Sequence, residues 1–206
     1  MLAIIPVNDP HLGKKRLSTL LDPEARAALV SSMLLDVIDA CKESLTITEI
    51  LVVTPNPKFA PPGCSVTVDS GEGHADAIEQ ALQTKKAKPG AIVLMADCPL
   101  VTGEALDRLV NAAKPLALAP AQDGGTNALA MIPGDLIKPT FGIPESCAAT
   151  VSTAHRTGLE VNLVHDLVFA IDLDDASDIS RIKKQKTHTR TARLLSEIQL
   201  ITEKIP

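Results

Sequence analysis

An α/β domain with helices covering both faces of a mostly parallel sheet is predicted here, and three observations predict it. Short aliphatic runs, Leu2-Ala-Ile-Ile-Pro-Val7, Ile50-Leu-Val-Val-Thr54 and Gly90-Ala-Ile-Val-Leu-Met95, lack the alternation of half-exposed strands and so read as strands buried on both faces. Stretches with helical spacing separate them, the order expected of right-handed strand-helix-strand units. The 206 residues, 45% hydrophobic and 22% charged, suffice for one sizeable core, so a single domain over 1–206 is expected.

The first strand, Leu2 to Val7, runs into a polar loop from Asn8 to Arg16 that carries Gly13 and two lysines, the layout of a phosphate site. Asp22-Pro23-Glu24 then supplies an N-cap, a proline at the first helical position and an acidic first turn. Apolar spacing through Leu29, Met33, Leu34, Val37 and Ile38 extends that helix over 23–42. The second strand, Ile50 to Thr54, is stopped by Pro55 and Pro57, and Ser65-Val-Thr-Val-Asp69 alternates as a third. After Gly71-Glu-Gly73 a helix is expected over 74–85, with Ala77, Ile78, Ala81 and Leu82 at core spacing. The strand through Leu94 follows, and Thr102 caps a helix through Leu106, Leu109 and Val110.

Leu116 to Ala119 and Ala128 to Ile132 are the next strands, with Gln122-Asp-Gly-Gly-Thr126-Asn127 between them. Ser146 to Thr157 reads as helix, Val161 to Val164 as strand, and Phe169-Ala-Ile171 as a short strand ending on Asp172. Helix returns over 176–184. The tail is basic from Lys183 to Arg190 and then helical through Leu194, Leu195, Ile198 and Ile201. Segment 186–206 is therefore expected to be a packing helix, with a homodimer contact as the sharper alternative.

Composition removes several classes of function. No apolar run approaches the roughly 20 residues that span a bilayer, and Met1-Leu-Ala-Ile-Ile-Pro6 is too short and lacks the basic flank of a signal peptide, so a cytoplasmic protein without membrane partners is expected. A net charge of -5, no Trp or Tyr and three Phe argue against nucleic acid as a partner. The four cysteines are scattered without a CxxC pair, and the five histidines show no ligand spacing. P-loop, GxGxxG, GxSxG and HExxH motifs are all missing from the sequence, which disfavours P-loop kinases, dinucleotide dehydrogenases and covalent hydrolases.

What remains is a set of polar clusters at strand ends. In Leu94-Met-Ala-Asp97-Cys-Pro99-Leu100 a buried strand delivers one carboxylate to its end, where an open α/β sheet builds its ligand site. On the local pattern alone, a helix-cap or turn aspartate is an equal reading. Lys14-Lys15-Arg16, Gly124-Gly-Thr126-Asn127 and Asp172-Leu-Asp174 are placed to converge on the same edge. Cations with two or three carboxylates suit a phosphate bridged by magnesium, a hard ion that prefers oxygen ligands.

Together the segments resemble the guanylyltransferases of coenzyme F-420 biosynthesis, within the nucleotidyltransferase superfamily related to molybdenum-cofactor guanylyltransferases. The resemblance rests on Ile5-Pro-Val7, Lys14-Lys-Arg-Leu17, Leu21-Asp-Pro23, Arg26, Met33-Leu-Leu-Asp36 and Ala96-Asp-Cys-Pro-Leu100. Gly124-Gly-Thr-Asn-Ala-Leu129, Phe141-Gly142, Ser146 and Ile171-Asp-Leu-Asp174 complete it. It implies a Rossmann-like three-layer nucleotidyltransferase fold and transfer of GMP from GTP to the phosphate of a three-carbon acid, with release of pyrophosphate. The favoured acceptor is 2-phospho-L-lactate; phosphoenolpyruvate, used by some bacterial relatives, is the alternative, and a non-catalytic nucleotide-binding or scaffold protein is the alternative of another class.

The resemblance puts Mg2+ on Asp97, Asp172 and Asp174, makes Asp97 and Lys14 catalytic, and sets Lys14, Thr126, Gly142 and Ser146 around the acceptor. Val7, Lys15 and Arg16 are expected near the GTP phosphates. Gly73 and Asp76 are expected near the nucleotide, where the Asp76 carboxylate has the acceptor chemistry to read guanine, a helix-surface aspartate being at least an equal reading. Three positions depart from the family pattern. Asn8 replaces a common lysine, Ala75 replaces a common asparagine, and Gly142-Ile-Pro-Glu-Ser146 is one residue longer, which leaves open whether Ser146 or Glu145 faces the acceptor.

Overall fold

The computed structural model describes residues 1–69, 74–185 and 187–198. The chain runs β1 (Leu2–Pro6), α1 (Pro23–Glu43), β2 (Glu49–Thr54), β3 (Ser65–Val68), α2 (His74–Leu82), β4 (Ala91–Leu94), α3 (Gly103–Ala112) and β5 (Leu116–Pro120). It continues through β6 (Thr126–Met131), α4 (Ser146–Arg156), β7 (Asn162–Leu163), α5 (Leu167–Ala170), α6 (Ala176–Lys184) and α7 (Arg190–Glu197). The strands form one sheet in the order β3-β2-β1-β4-β6-β5-β7. Neighbouring pairs are parallel except those of β6, which is antiparallel to both β4 and β5.

The apolar runs are buried on both faces, as their composition requires. Ile5, Val52, Ile92 and Leu94 meet Leu34, Val37, Ile38 and Cys41 of α1 and Leu106 and Leu109 of α3. The alternate residues Ile4, Leu51, Val53 and Val93 face the other way, onto Ile78 and Leu82 of α2 and, farther along, Ala154 of α4. In β5 and β6 the helix α3 side carries alanines, Ala117, Ala119, Ala128 and Ala130, while leucines and Met131 fill the opposite side. Small residues let α3 lie close to the sheet. A second close approach, of α3 to the end of α1, explains Gly103, where a Cβ would stand 2.7 Å from the Glu43 carbonyl carbon.

Helix starts follow their caps. The Asp22 side chain accepts from Ala25 N at 2.7 Å, and the Thr102 hydroxyl accepts from Ala105 N at 3.2 Å. One expectation is corrected: Phe169-Ala-Ile171 is not a strand but the end of the one-turn helix α5 and its C-cap Ile171, because Asp166 at the N-cap accepts from Val168 N and offers its carbonyl to Phe169 and Ala170. Phe169 is fully buried within it. Helix α2 also stops at Leu82, short of the expected 85, where Thr84 turns back onto the Ala81 carbonyl.

A third apolar cluster lies below the sheet's edge and joins Leu17, Leu21, Leu29, Met33, Leu173, Ile179, Ile182 and Leu195. Helix α7 is held there by Asp36 of α1, whose two carboxylate oxygens accept from Arg190 N at 2.7 Å and Thr191 N at 2.9 Å. Among the described residues no helix is long and apolar enough to cross a membrane.

Candidate active site

The carboxyl ends of β1 and β4 open onto a cleft of about 280 Å3 lined by Val7, Asn8, Gly13, Lys14, Asp97 and Asp174 among others. This is the edge at which open α/β sheets bind ligands. A larger cavity of about 520 Å3 between α6 and α7 shares no lining residue with it and holds none of the clustered carboxylates, so size does not locate the chemistry here.

Asp97 sits in the turn after β4, and its carbonyl accepts from Leu173 N at 3.0 Å. That bond pins the acidic segment beside it. Along 171–174 burial alternates, with Ile171 and Leu173 buried and Asp172 and Asp174 partly exposed, so both carboxylates emerge on the side away from the core. Asp178 fixes the next residues, its carboxylate accepting from Asp174 N at 3.0 Å and Asp175 N at 2.9 Å while Asp175 caps α6. The result brings one oxygen from each of Asp97, Asp172 and Asp174 within 4.8 Å of one another.

Lys14 closes the cluster. Its ammonium donates to Asp97 Oδ2 at 2.7 Å and Asp174 Oδ1 at 2.6 Å, with the side chain 9% exposed. Burial alone pushes its pKa down, but attraction and hydrogen bonds from Asp97 and Asp174 together outweigh that and hold it above the ordinary value. The backbone at Lys14 is left-handed, φ 51°, a conformation that costs a residue with a side chain about 1–2 kcal/mol and is held by its surroundings. Arg26 reaches the preceding Gly13 carbonyl at 3.4 Å, and the exposed Arg16 guanidinium stands 3.7 Å from Asp174 Oδ2.

Burial pushes the Asp172 carboxyl up to about 6, and the Asp97 charge adds to it. Asn127 partly offsets this: its Nδ2 donates to Asp172 Oδ1 at 3.3 Å and to the Phe169 carbonyl at 2.7 Å. Three convergent carboxylates, one of them carrying an elevated proton affinity, are a donor set that suits a hard divalent cation such as Mg2+, which would replace that proton. Cys98, next to Asp97, is wholly buried, which pushes its thiol well above the usual range and removes it as a nucleophile.

Because β6 is antiparallel, its first residues, not its last, reach this edge. The Met95 amide donates to the Asn127 carbonyl at 2.9 Å, which places Thr126 and Asn127 beside the end of β4. Thr126 and Ser146 are both buried, and the Ser146 hydroxyl donates to Thr126 Oγ1 at 3.2 Å. Glu145 is exposed, adopts a left-handed backbone (φ 56°) and lays its carboxylate over Gly124, where a Cβ would stand 2.8 Å from Oε1. Gly124, at φ 89°, thus has both a backbone and a packing reason to be glycine. Gly142 lies exposed at φ 75°, and a Cβ there would meet no atom within 4 Å.

Of the residues singled out in the sequence, Lys14, Asp97, Asp172 and Asp174 converge, and Val7 lines the same cleft, its amide bonded to the Val53 carbonyl at 2.8 Å. Lys15 is exposed on a short 3-10 turn and does not line the cleft. Asp76 lies in the first turn of α2, where its charge acts on Lys138 after that of Glu79, and Gly73 falls outside the described residues. Two contributors were given no role of their own. Asn127 was visible as the last residue of its Gly-Gly-Thr-Asn run, and Asp178 as the fourth residue of an Asp-x-x-Asp capping pattern.

A family model described as "Guanylyl transferase CofC like" matches residues 1–204. The chain is 32% identical over 199 residues to a phosphoenolpyruvate guanylyltransferase of Roseiflexus sp. (strain RS-1), covering 93% of this chain and 89% of the relative. It is 29% identical over 201 residues to a 2-phospho-L-lactate guanylyltransferase of Archaeoglobus fulgidus, covering 96% and 90%. Among solved structures, one provisionally described as a nucleotide-diphospho-sugar transferase from Desulfovibrio desulfuricans G20 superposes with a TM-score of 0.79 at 19% identity, over 95% of this chain and 94% of that one. A 4-diphosphocytidyl-2C-methyl-D-erythritol synthase superposes at 0.59 with 15% identity, over 88% and 96%.

Proposed function

The chain belongs to the CofC-like guanylyl transferase family, and from that premise we propose that it moves GMP from GTP onto the phosphate of a three-carbon phospho-acid, with Mg2+ held by Asp97, Asp172 and Asp174. The observation that carries this reading is the meeting of those three carboxylates with a buried lysine at the sheet edge. The whole of 1–206 is read as one nucleotidyltransferase domain.

The reaction needs no protein nucleophile. An oxygen of the acceptor phosphate, already anionic at neutral pH, attacks the α-phosphorus of GTP; the bond to the β-phosphate breaks and pyrophosphate leaves with its electron pair. Two anions must therefore be held in line against their repulsion. Lys14 and Arg16 supply positive charge beside the phosphates, Asn127 holds the Asp172 carboxylate, and Asp178 fixes the Asp174 backbone. Asp97, Asp172 and Asp174 would hold Mg2+, which would supply further neutralisation of phosphate charge. Thr126, Ser146 and Gly142 are proposed for the acceptor, and Gly73 and Asp76 for the nucleotide.

The acceptor expected from the sequence is 2-phospho-L-lactate. A second reading, phosphoenolpyruvate, is favoured by the Roseiflexus relative, which carries that name at 32% identity. Purified protein is incubated with Mg2+, each of the four NTPs and each acid, and pyrophosphate is followed. Release that requires GTP and one of the two acids, and that is lost in a folded Asp97→Ala variant, supports the reading. Release independent of the acid, or unaffected by Asp97→Ala, overturns it.

A further inference from the structure

The Lys14 ammonium engages Asp97 Oδ2 and Asp174 Oδ1. These atoms belong to two of the three carboxylates whose oxygens lie close enough to share one ion. Magnesium requires oxygen ligands at about 2.0–2.1 Å and tolerates little distortion. A doubly charged ion drawn onto these carboxylates meets a buried ammonium already bonded to them, and in a partly desolvated site the two cations repel strongly. Arg16, 3.7 Å from the other oxygen of Asp174, adds to that repulsion.

We propose that Lys14 and a divalent cation are alternative occupants of the Asp97 and Asp174 carboxylates, so that Lys14 is released toward substrate phosphates as the metal is taken up. The lysine is then a resident counter-ion as well as a phosphate ligand. It keeps two carboxylates compatible before the metal arrives, and its departure makes an ammonium free when phosphate charge needs it. Linkage makes the effect reciprocal: whatever draws Lys14 away tightens the metal, and the metal frees Lys14.

The inference rests on the proposed metal role of the carboxylates, and the experiment separates the two. Mg2+ is titrated by calorimetry into chelator-stripped wild type, Lys14→Met and Asp97→Asn, without nucleotide and at low salt. Lys14→Met is expected to bind Mg2+ at least about tenfold more tightly than wild type, and Asp97→Asn to lose binding. In parallel, amine acetylation of the wild type is mapped by mass spectrometry, and saturating Mg2+ is expected to raise the labelling of Lys14 several-fold relative to the exposed Lys184. Equal or weaker binding by Lys14→Met, or Lys14 labelling that Mg2+ leaves unchanged or slows, overturns the exchange while leaving the metal site standing. Binding that Asp97→Asn does not affect, or no Mg2+ binding in the wild type, overturns both. Should Lys14→Met not fold, the labelling of the wild type decides.

Discussion

Two corners flank the same end of the sheet and are held in different ways. The Lys14 corner is closed by charge across long stretches of chain, with partners 83 and 160 residues apart, and is braced by the Leu173 amide on Asp97 and by Asp178 beneath Asp174. The Thr126 corner is held, among the described residues, without an ion pair, by the buried Ser146–Thr126 hydroxyl pair and by the Met95 and Cys147 amides on the Asn127 and Gly124 carbonyls, and its rim, from Gly142 to Glu145, is exposed. The difference suggests a division of labour. A braced corner suits the phosphoryl chemistry, which tolerates little displacement, whereas an exposed rim can change its side chains to suit one small acid or another.

Asp174→Ala should do the most damage, lowering kcat by about a thousandfold with little change in either KM, as expected if the carboxylate holds the proposed metal. Steady-state kinetics on the folded variant check it. Thr126→Ala should raise the acceptor KM about tenfold and leave kcat within about threefold, the cost of one hydrogen bond made equally in ground and transition states. Equal kcat losses in the two variants would break the division between the corners.

Asp172 sharpens the same contrast through pH. Its carboxyl, raised from 3.8 to about 6, keeps a proton in the folded chain that the unfolded chain has lost. The stability this contributes is full below 3.8 and is lost as the pH climbs through about 6. With chelator present, Asp172→Asn should therefore raise Tm at pH 7.5 by about 2–4 °C, the effect of about 1 kcal/mol once solvent screening is allowed for, and make no difference at pH 3.5. Calorimetry at the two pH values reads it. The smallest effect belongs to the exposed rim: Glu145→Gln should lower the acceptor KM about two- to threefold at low salt and less at high salt, since it removes one screened negative charge.

The layering and most element boundaries were legible because buried parallel strands and capped helices leave local marks, as at Asp22-Pro23 and Thr102. The carboxylate triad was legible in part. Asp97 follows an apolar run, which put it at a strand's end, but Asp172 was placed by an expected strand that is a helical turn, and the grouping of the three around one ion came from the family resemblance. The reversal of β6 was not legible, since an apolar six-residue strand reads the same in either direction; yet it determines that Thr126 and Asn127 reach the cleft. Nor could composition foretell that Asp166 would wind 167–170 into a helical turn, a choice made by one side chain's bonds to nearby backbone. The choice between Ser146 and Glu145 depends on tertiary packing, which buries the serine against Thr126 and leaves the glutamate exposed.

The apolar cluster under the cleft has a consequence for how the protein is made. Leu17 just past the lysine loop, Leu173 between two of the carboxylates and Leu195 of α7 occupy one cluster. Synthesis supplies them in that order, and chains begin folding as they emerge. The sheet strands through β7 and their helices can pair on the ribosome, but the floor beneath Lys14 and Asp174 is complete only when α7 docks on Asp36. A chain arrested before Leu195 would thus carry a formed sheet and an unfinished Lys14 corner, and that corner would wait for α7.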